Sequence, residues 1–225
     1  MIKQSVNKQR RSRRVIQKHE NARLEILQVA QIILQKGGVE SVTLASVAGE
    51  LGMTKQALYH YFPSKDALMR ALVTTLLDGE VNALIAAVEA GEAKAETLGT
   101  LIRTFYNHYI SRLNAFRSIY CQSQLYRATE SGLDKDTVRD EINPRTRHLF
   151  DVLEARISTS SASETDRAQM RQLAFAAWLS ALGLMTMLGI ADATDDPLIH
   201  SDEELIETLS GVFNNAAIHS TKATD

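Results

Sequence analysis

The sequence predicts an all-α protein, and three observations predict it. Apolar residues recur at helical spacing in successive segments, and no segment alternates with the period of two that marks a strand. Only three prolines interrupt 225 residues, which leaves room for long helices. Capping residues and glycines fall at the ends of the periodic segments, and no glycine-rich hairpin turn occurs. The expected architecture is about nine helices without repeats: a small N-terminal three-helix unit and a larger helical body.

Residues 1–20 contain seven Lys or Arg and no sustained apolar period, so they read as a basic flexible arm. Helical patterning is expected from near Asn21, through Leu24, Leu27, Ala30, Ile33 and Leu34, to a stop at Gly37-Gly38. Thr43 fits an N-cap for a short helix over Leu44–Leu51, and Gly52 fits the left-handed residue that follows. Thr54 caps a second short helix reaching about Tyr61. Ser64, with Asp66 in the first turn, starts a long one running to about Glu89. A helix over Leu98–Tyr109 is expected to continue or kink into Phe116–Tyr126. Another begins near Asp136, with Pro144 either starting or kinking it. Two long segments close the chain, Glu164 to about Ala191 and Ser201 to about His219. Ser201 and Glu204 form a capping-box pattern at the start of the second. The expected division is an arm over 1–20, a small three-helix unit over 21–66, and a body over 67–225.

The charge is distributed unevenly. Residues 1–70 carry twelve Lys or Arg against five Asp or Glu, a net +7, while the remainder carries −9. A basic head on an acidic body points to a polyanion at the head. The single cysteine excludes an intrachain disulfide framework and suits a reducing, cytoplasmic setting. No signal-peptide pattern follows the basic start.

The most informative stretch is TLASVAGELGMTKQALYHYFPSK, Thr43 to Lys65. Two short helices crossing steeply need a small residue at the contact, supplied by Ala48. The tight turn between them needs a residue tolerant of positive φ, supplied by Gly52. Leu44, Val47, Leu51, Met53 and Leu58 provide a small core. The second helix then offers Lys55, Gln56, Tyr59 and His60 to a major groove, which admits one α-helix. Glutamine pairs with adenine, while Thr, Tyr and Lys hold phosphates.

At these residues the sequence resembles the TetR (tetracycline-repressor) family of bacterial transcriptional regulators. The likeness runs from about Ala22 to Ala71 and is most specific in LYHYFPSKDAL. It implies a three-helix DNA-binding domain joined through a fourth helix to a ligand-binding and dimerisation domain. By that match Thr43, Thr54, Lys55, Tyr59, His60 and Lys65 contact phosphates or bases. Gln56 departs from the Gly or Pro common at that position, so no base preference carries over. The arm is longer than the family needs; it either tracks the DNA backbone or an adjacent minor groove, or is simply disordered.

In the body, residues 172–191 form the longest uncharged stretch. Its polar residues and charged flanks argue against a bilayer span, and no membrane partner is expected. Such a helix is otherwise buried on all sides, against its own domain and a second subunit or entirely within one chain. Ala177, Ser180, Ala181 and Gly183 would allow close approach, with Leu205, Ile206, Leu209, Val212, Phe213 and Ala216 as the partner stripe. The resemblance implies a four-helix homodimer interface there. The expected pocket wall is residues 98–126, where Phe105, His108, Tyr109, Arg112, Tyr120 and Gln124 mix apolar and polar groups, with Trp178, Met185 and Met187 facing the same cavity. The arginines Arg103, Arg112 and Arg117, with His108, lean that site toward an anionic or hydrogen-bond-accepting compound.

The six histidines show no metal-ligand spacing, and no nucleophile motif or phosphate-cradling loop is found, so no catalytic site, metal or cofactor is expected. The functional expectation is a regulator that binds double-stranded operator DNA, most simply a repressor released by an unknown small-molecule effector. The alternative is an architectural or division-associated DNA-binding protein without an effector.

Overall fold

The structure, a computed structural model, describes the backbone of residues 2–121, 135–195 and 198–222. All regular elements among these residues are helical. They are α1 (Ile2–Gly37), α2 (Leu44–Glu50), α3 (Lys55–Tyr59), α4 (Lys65–Ala90) and α5 (Thr97–Tyr109). Next, α6 comprises Leu113–Phe116 continued by a π-helical turn, Arg117–Cys121. Then α7 runs unbroken through Lys135–Thr137, a π-helical turn Val138–Ile142, and Asn143–Ile157. Finally come α8 (Glu164–Thr194) and α9 (Asp202–Lys222). The chain divides into two compact units, one of residues 1–75 and 114–134, the other of residues 76–113 and 135–225.

Helix α1 begins far before the Asn21 start that periodicity predicts. Lys, Arg, Gln and Glu all have good helix propensity, and no Gly or Pro occurs before Gly37. The same stretch that lacks an apolar period is therefore an extension of the first helix.

Pro144 is the second residue of the regular α-helical segment Asn143–Ile157 and lies inside the continuous α7, so it neither starts nor breaks that helix. Proline has no N–H to give and its ring crowds the carbonyl four residues earlier. The π-turn at Val138–Ile142 sits where that disturbance falls, so α7 passes it without breaking.

In the second unit, α5 packs on α8 and α9, and α8 packs also on α7 and α9. Leu98, Leu101, Ile102, Phe105 and Tyr109 are all buried along α5. Gly99 marks a close approach: its N–H donates to Asn214 Oδ1 at 2.8 Å. A Cβ on Gly99 would stand 2.6 Å from Asn214 Nδ2 and 3.0 Å from Ser210 Cβ. Arg103 pairs with Glu207 of α9 at 2.7 Å, so it is committed to the helix contact rather than to an interior site. Tyr106 donates to Asp202 Oδ2 at 2.8 Å; burial and then that carboxylate push its hydroxyl up to about 12. The capping box expected at Ser201 forms, with Ser201 Oγ accepting from Glu204 N at 3.3 Å, and a second one opens α8, with Ser163 Oγ accepting from Asp166 N at 3.2 Å.

Candidate nucleic-acid interface

The first unit builds its site from local rules. Thr43 caps α2: Oγ1 accepts from Ser46 N at 2.9 Å, while Thr43 N donates to Ser46 Oγ at 3.0 Å. Closing the turn, Gly52 N donates to Gly49 O at 3.1 Å and Met53 N to Ala48 O at 2.9 Å, the Schellman pattern. That pattern puts Gly52 at φ 63°, a conformation only glycine adopts without cost. Thr54 caps α3 by accepting from Ala57 N at 3.2 Å, and Ser64 caps α4 by accepting from Ala67 N at 3.0 Å. Leu44, Val47, Ala48, Leu58 and Phe62 are buried, and Ile26, Leu27, Ala30 and Leu34 of α1 join them in the core.

With its apolar side thus occupied, α3 presents Lys55, Gln56 and Tyr59, flanked by Thr54 and His60; all five are exposed. Lys55 Nζ lies 5.9 Å from the Tyr59 ring centroid. Thr43 and Lys65 are half-buried at the two ends of this surface, and the Thr43 hydroxyl is engaged in its cap. The seven residues singled out from sequence therefore fall in one contiguous segment, none of them in the core.

Sequence patterning missed two supports of this surface. Arg23 Nη1 donates to Tyr61 O at 2.6 Å, and its guanidinium lies 4.4 Å from the Phe62 ring centroid. His19 stacks on Tyr61 with centroids 4.8 Å apart. These contacts tie α1 to the chain just after α3. No local spacing links residues so far apart, so only the fold reveals them.

The candidate effector residues are less unified. Phe105 and Tyr109 are buried in the second unit, with rings edge-to-face at 5.1 Å. His108 and Arg112 are half-buried, and Arg112 Nε donates to His108 O at 2.8 Å. Trp178 packs with Phe150 and Phe175 at 6.1 and 5.7 Å. Tyr120 belongs to the first unit, where it packs on Phe116 at 5.3 Å, and Gln124 lies outside the described residues. Met185 is buried, but Met187 is half exposed on the outer side of α8 and does not face the interior. Burial pushes the Cys121 thiol up, against the pull of Arg117, which lowers its reactivity.

Glu80 is the polar residue that sequence reasoning passed over here. It is 2% exposed, on the same face of α4 as the buried Leu76 and Leu84, and accepts a hydrogen bond from the Tyr109 hydroxyl. An acid in register with buried leucines was the available signal.

His108 carries a pH prediction. Burial, reinforced by the Arg112 guanidinium, pulls it from the usual 6.5 down to about 4. The unfolded chain then binds more protons between those values, so stability is lost as pH falls from 6.5 toward 4. Urea titrations across that window should show a steeper loss in the wild type than in His108→Gln. Parallel curves would refute it.

A packed helix-turn-helix whose second helix turns basic, amide and aromatic side chains outward defines the first unit as a DNA-binding domain of the helix-turn-helix class. Residues 26–72 match the family described as bacterial regulatory proteins, tetR family. The HTH-type transcriptional repressor KstR2 of Rhodococcus jostii is 27% identical over 140 residues, 62% of this chain and 67% of KstR2. Nucleoid occlusion factor SlmA of Photobacterium profundum is 37% identical over 62 residues, 27% of this chain and 32% of SlmA. A TetR/AcrR-family transcriptional regulator from Thermobifida fusca superposes with a TM-score of 0.62 at 19% identity, covering 87% of this chain and 97% of that structure. Over residues 26–72 the chain is thus similar to the bacterial regulatory proteins of the tetR family, and its fold is that of a TetR/AcrR-family regulator.

Proposed function

We propose that the protein is a homodimeric repressor that holds a palindromic operator through Thr43–Lys65 and leaves it when a small molecule occupies the body. The observation that carries the reading is the exposed row Thr54, Lys55, Gln56, Tyr59 and His60 over a fully packed helix-turn-helix core. In this reading Lys55, Tyr59, His60, Lys65 and the two threonines grip phosphates, and Gln56 reads a base edge. Ligand-responsive repression is typical of the family.

The second copy is argued from α8 and α9. Phe175, Leu179, Met187 and Ile190 are 45–50% exposed along one side of α8, and Val212 is 58% exposed on α9. A groove of about 720 Å³ lies beside them, lined by Ser180, Gly183, Leu184, Met187, Leu205 and Leu209 among others. An apolar row of this kind on a water-facing helix favours a partner of the same chemistry. Ala177 and Ala181, small enough for close helix approach, are buried within the chain, while Gly183 is exposed with the larger residues.

The effector acts through α5, where Phe105 and Tyr109 supply apolar wall and His108 and Arg112 supply polar groups. Helix α4 carries the chain without a break from one unit into the other, which makes it the mechanical link. Paired recognition helices must meet major grooves about 34–36 Å apart, so a pivot of α4 changes their fit. A coupling of about 1–3 kcal/mol lowers operator affinity roughly 5–150-fold.

The test is operator binding. Tyr59→Ala and Lys65→Ala are expected to weaken it, with Lys65→Ala reducing the salt slope by about one. Gln56→Ala is expected to relax base preference at one position of the site. Wild-type binding by all three variants would overturn the reading. Salt-dependent binding with no sequence preference would favour the architectural alternative.

A further inference from the structure

We propose that the N-terminal extension of α1 is a second DNA-binding element, which grips the phosphate backbone beside the segment read by α3. The inference rests on the helix-turn-helix reading and adds to it a contact outside Thr43–Lys65.

Helix α1 spans 36 residues, and among those whose burial is described, from residue 13 onward, buried positions begin at Ile26. Residues 13–20 are exposed at every position. The part before Asn21 is about 28 Å long at 1.5 Å per residue, close to one turn of duplex. It holds seven Lys or Arg and a single acid, Glu20. Arg10, Arg14 and Lys18 are spaced four apart, and so are repeating neighbours along one helical face. Like charges at that spacing repel and disfavour the helix when it stands alone. A polyanion alongside removes the repulsion and releases its own counterions, so charge that costs stability in the free protein yields affinity in the complex.

The position of the extension selects the polyanion. His19 stacks on Tyr61, and Arg23 donates to Tyr61 O and covers the Phe62 ring. The basic stretch therefore leaves the core within a few residues of the C-terminal end of α3, in the same compact unit. A duplex held by α3 brings its flanking phosphates to this end. Charge complementarity and continuity with the helix-turn-helix surface both favour DNA over a membrane or an unrelated acidic protein.

The experiment compares the full-length wild type with the triple variant Arg10→Gln, Arg14→Gln and Lys18→Gln. Binding is measured against salt on three probes: a duplex selected by the protein from a randomised pool, the same duplex with its flanks trimmed away, and phosphatidylcholine vesicles containing phosphatidylserine. On the flanked duplex the variant is expected to lose about 0.9 of the logarithmic salt slope per abolished phosphate contact, up to about 2.7 per subunit. Base preference should be unchanged, and the two proteins should converge on the trimmed duplex. Equal thermal melting would show that the variant is folded. An unchanged slope on the flanked duplex, while Tyr59→Ala still weakens binding, overturns the extension alone. Loss of vesicle binding with no change on either duplex makes the partner a membrane and also overturns it. A wild type that selects no duplex at all removes the helix-turn-helix reading, and this inference with it.

Discussion

Met187→Glu is expected to convert the protein to monomers and to lower operator affinity about a hundred-fold or more, because two linked heads bind far more tightly than one. Met187 is 50% exposed and lines the groove bordered by Gly183, Leu184, Leu205 and Leu209. Leu179 and Ile190 lie on the same side of α8 and are as exposed. In a free subunit the new carboxylate points to water and costs little. In the proposed dimer it enters an apolar contact with no cation beside it, where an unpaired charge costs several kcal/mol. Sedimentation velocity at micromolar concentration should separate the two proteins, and operator titration should report the affinity loss. A variant that remains dimeric would remove α8 from the interface.

Tyr109→Phe is expected to destabilise the body by about 1–3 kcal/mol, since it deletes a donor to a buried carboxylate. Tyr109 is 1% exposed and Glu80 2%, so water cannot readily replace the lost hydroxyl. Tyr109→Ala is expected to cost more, about 3–5 kcal/mol, because the edge-to-face contact with Phe105 and the ring's volume are lost as well. Urea denaturation at neutral pH measures both. For a chain of this size each kcal/mol corresponds to a fall of roughly 2–4 °C in Tm. A Phe variant as stable as the wild type would mean that the hydroxyl contributes nothing to holding Glu80.

The contrast between these two sites explains what could be read from the chain. The helix-turn-helix was legible almost residue by residue because its determinants are local. The caps at Thr43, Thr54 and Ser64 and the positive φ at Gly52 each depend on neighbours within three or four positions. Helix α8 was harder. Its central stretch is apolar on every side, so periodicity does not reveal which side turns inward, and the small residues Ala177 and Ala181 point into the chain rather than out of it. The Tyr109–Glu80 bond joins residues 29 apart on different helices, and no spacing rule connects them. The start of α1 is obscured for another reason. Its composition signals charge first, and that charge masks the helix propensity of the same side chains.

The absent side chain at Gly99 has a mechanical meaning. Where most helix pairs are separated by a layer of side chains that can change rotamer, α5 and α9 meet here backbone to amide, with Asn214 bonded to the Gly99 N–H and Ser210 directly behind it. Rotamer changes take up small displacements; a backbone seated against its neighbour has almost no play. A displacement of α5 produced at His108 or Tyr109 is therefore handed on to α9 as a rigid movement, and α9 bears Leu205, Leu209 and Val212 on its outer side. In the proposed repressor the body would work less like a cushion around its effector than like a lever whose fulcrum is a single glycine.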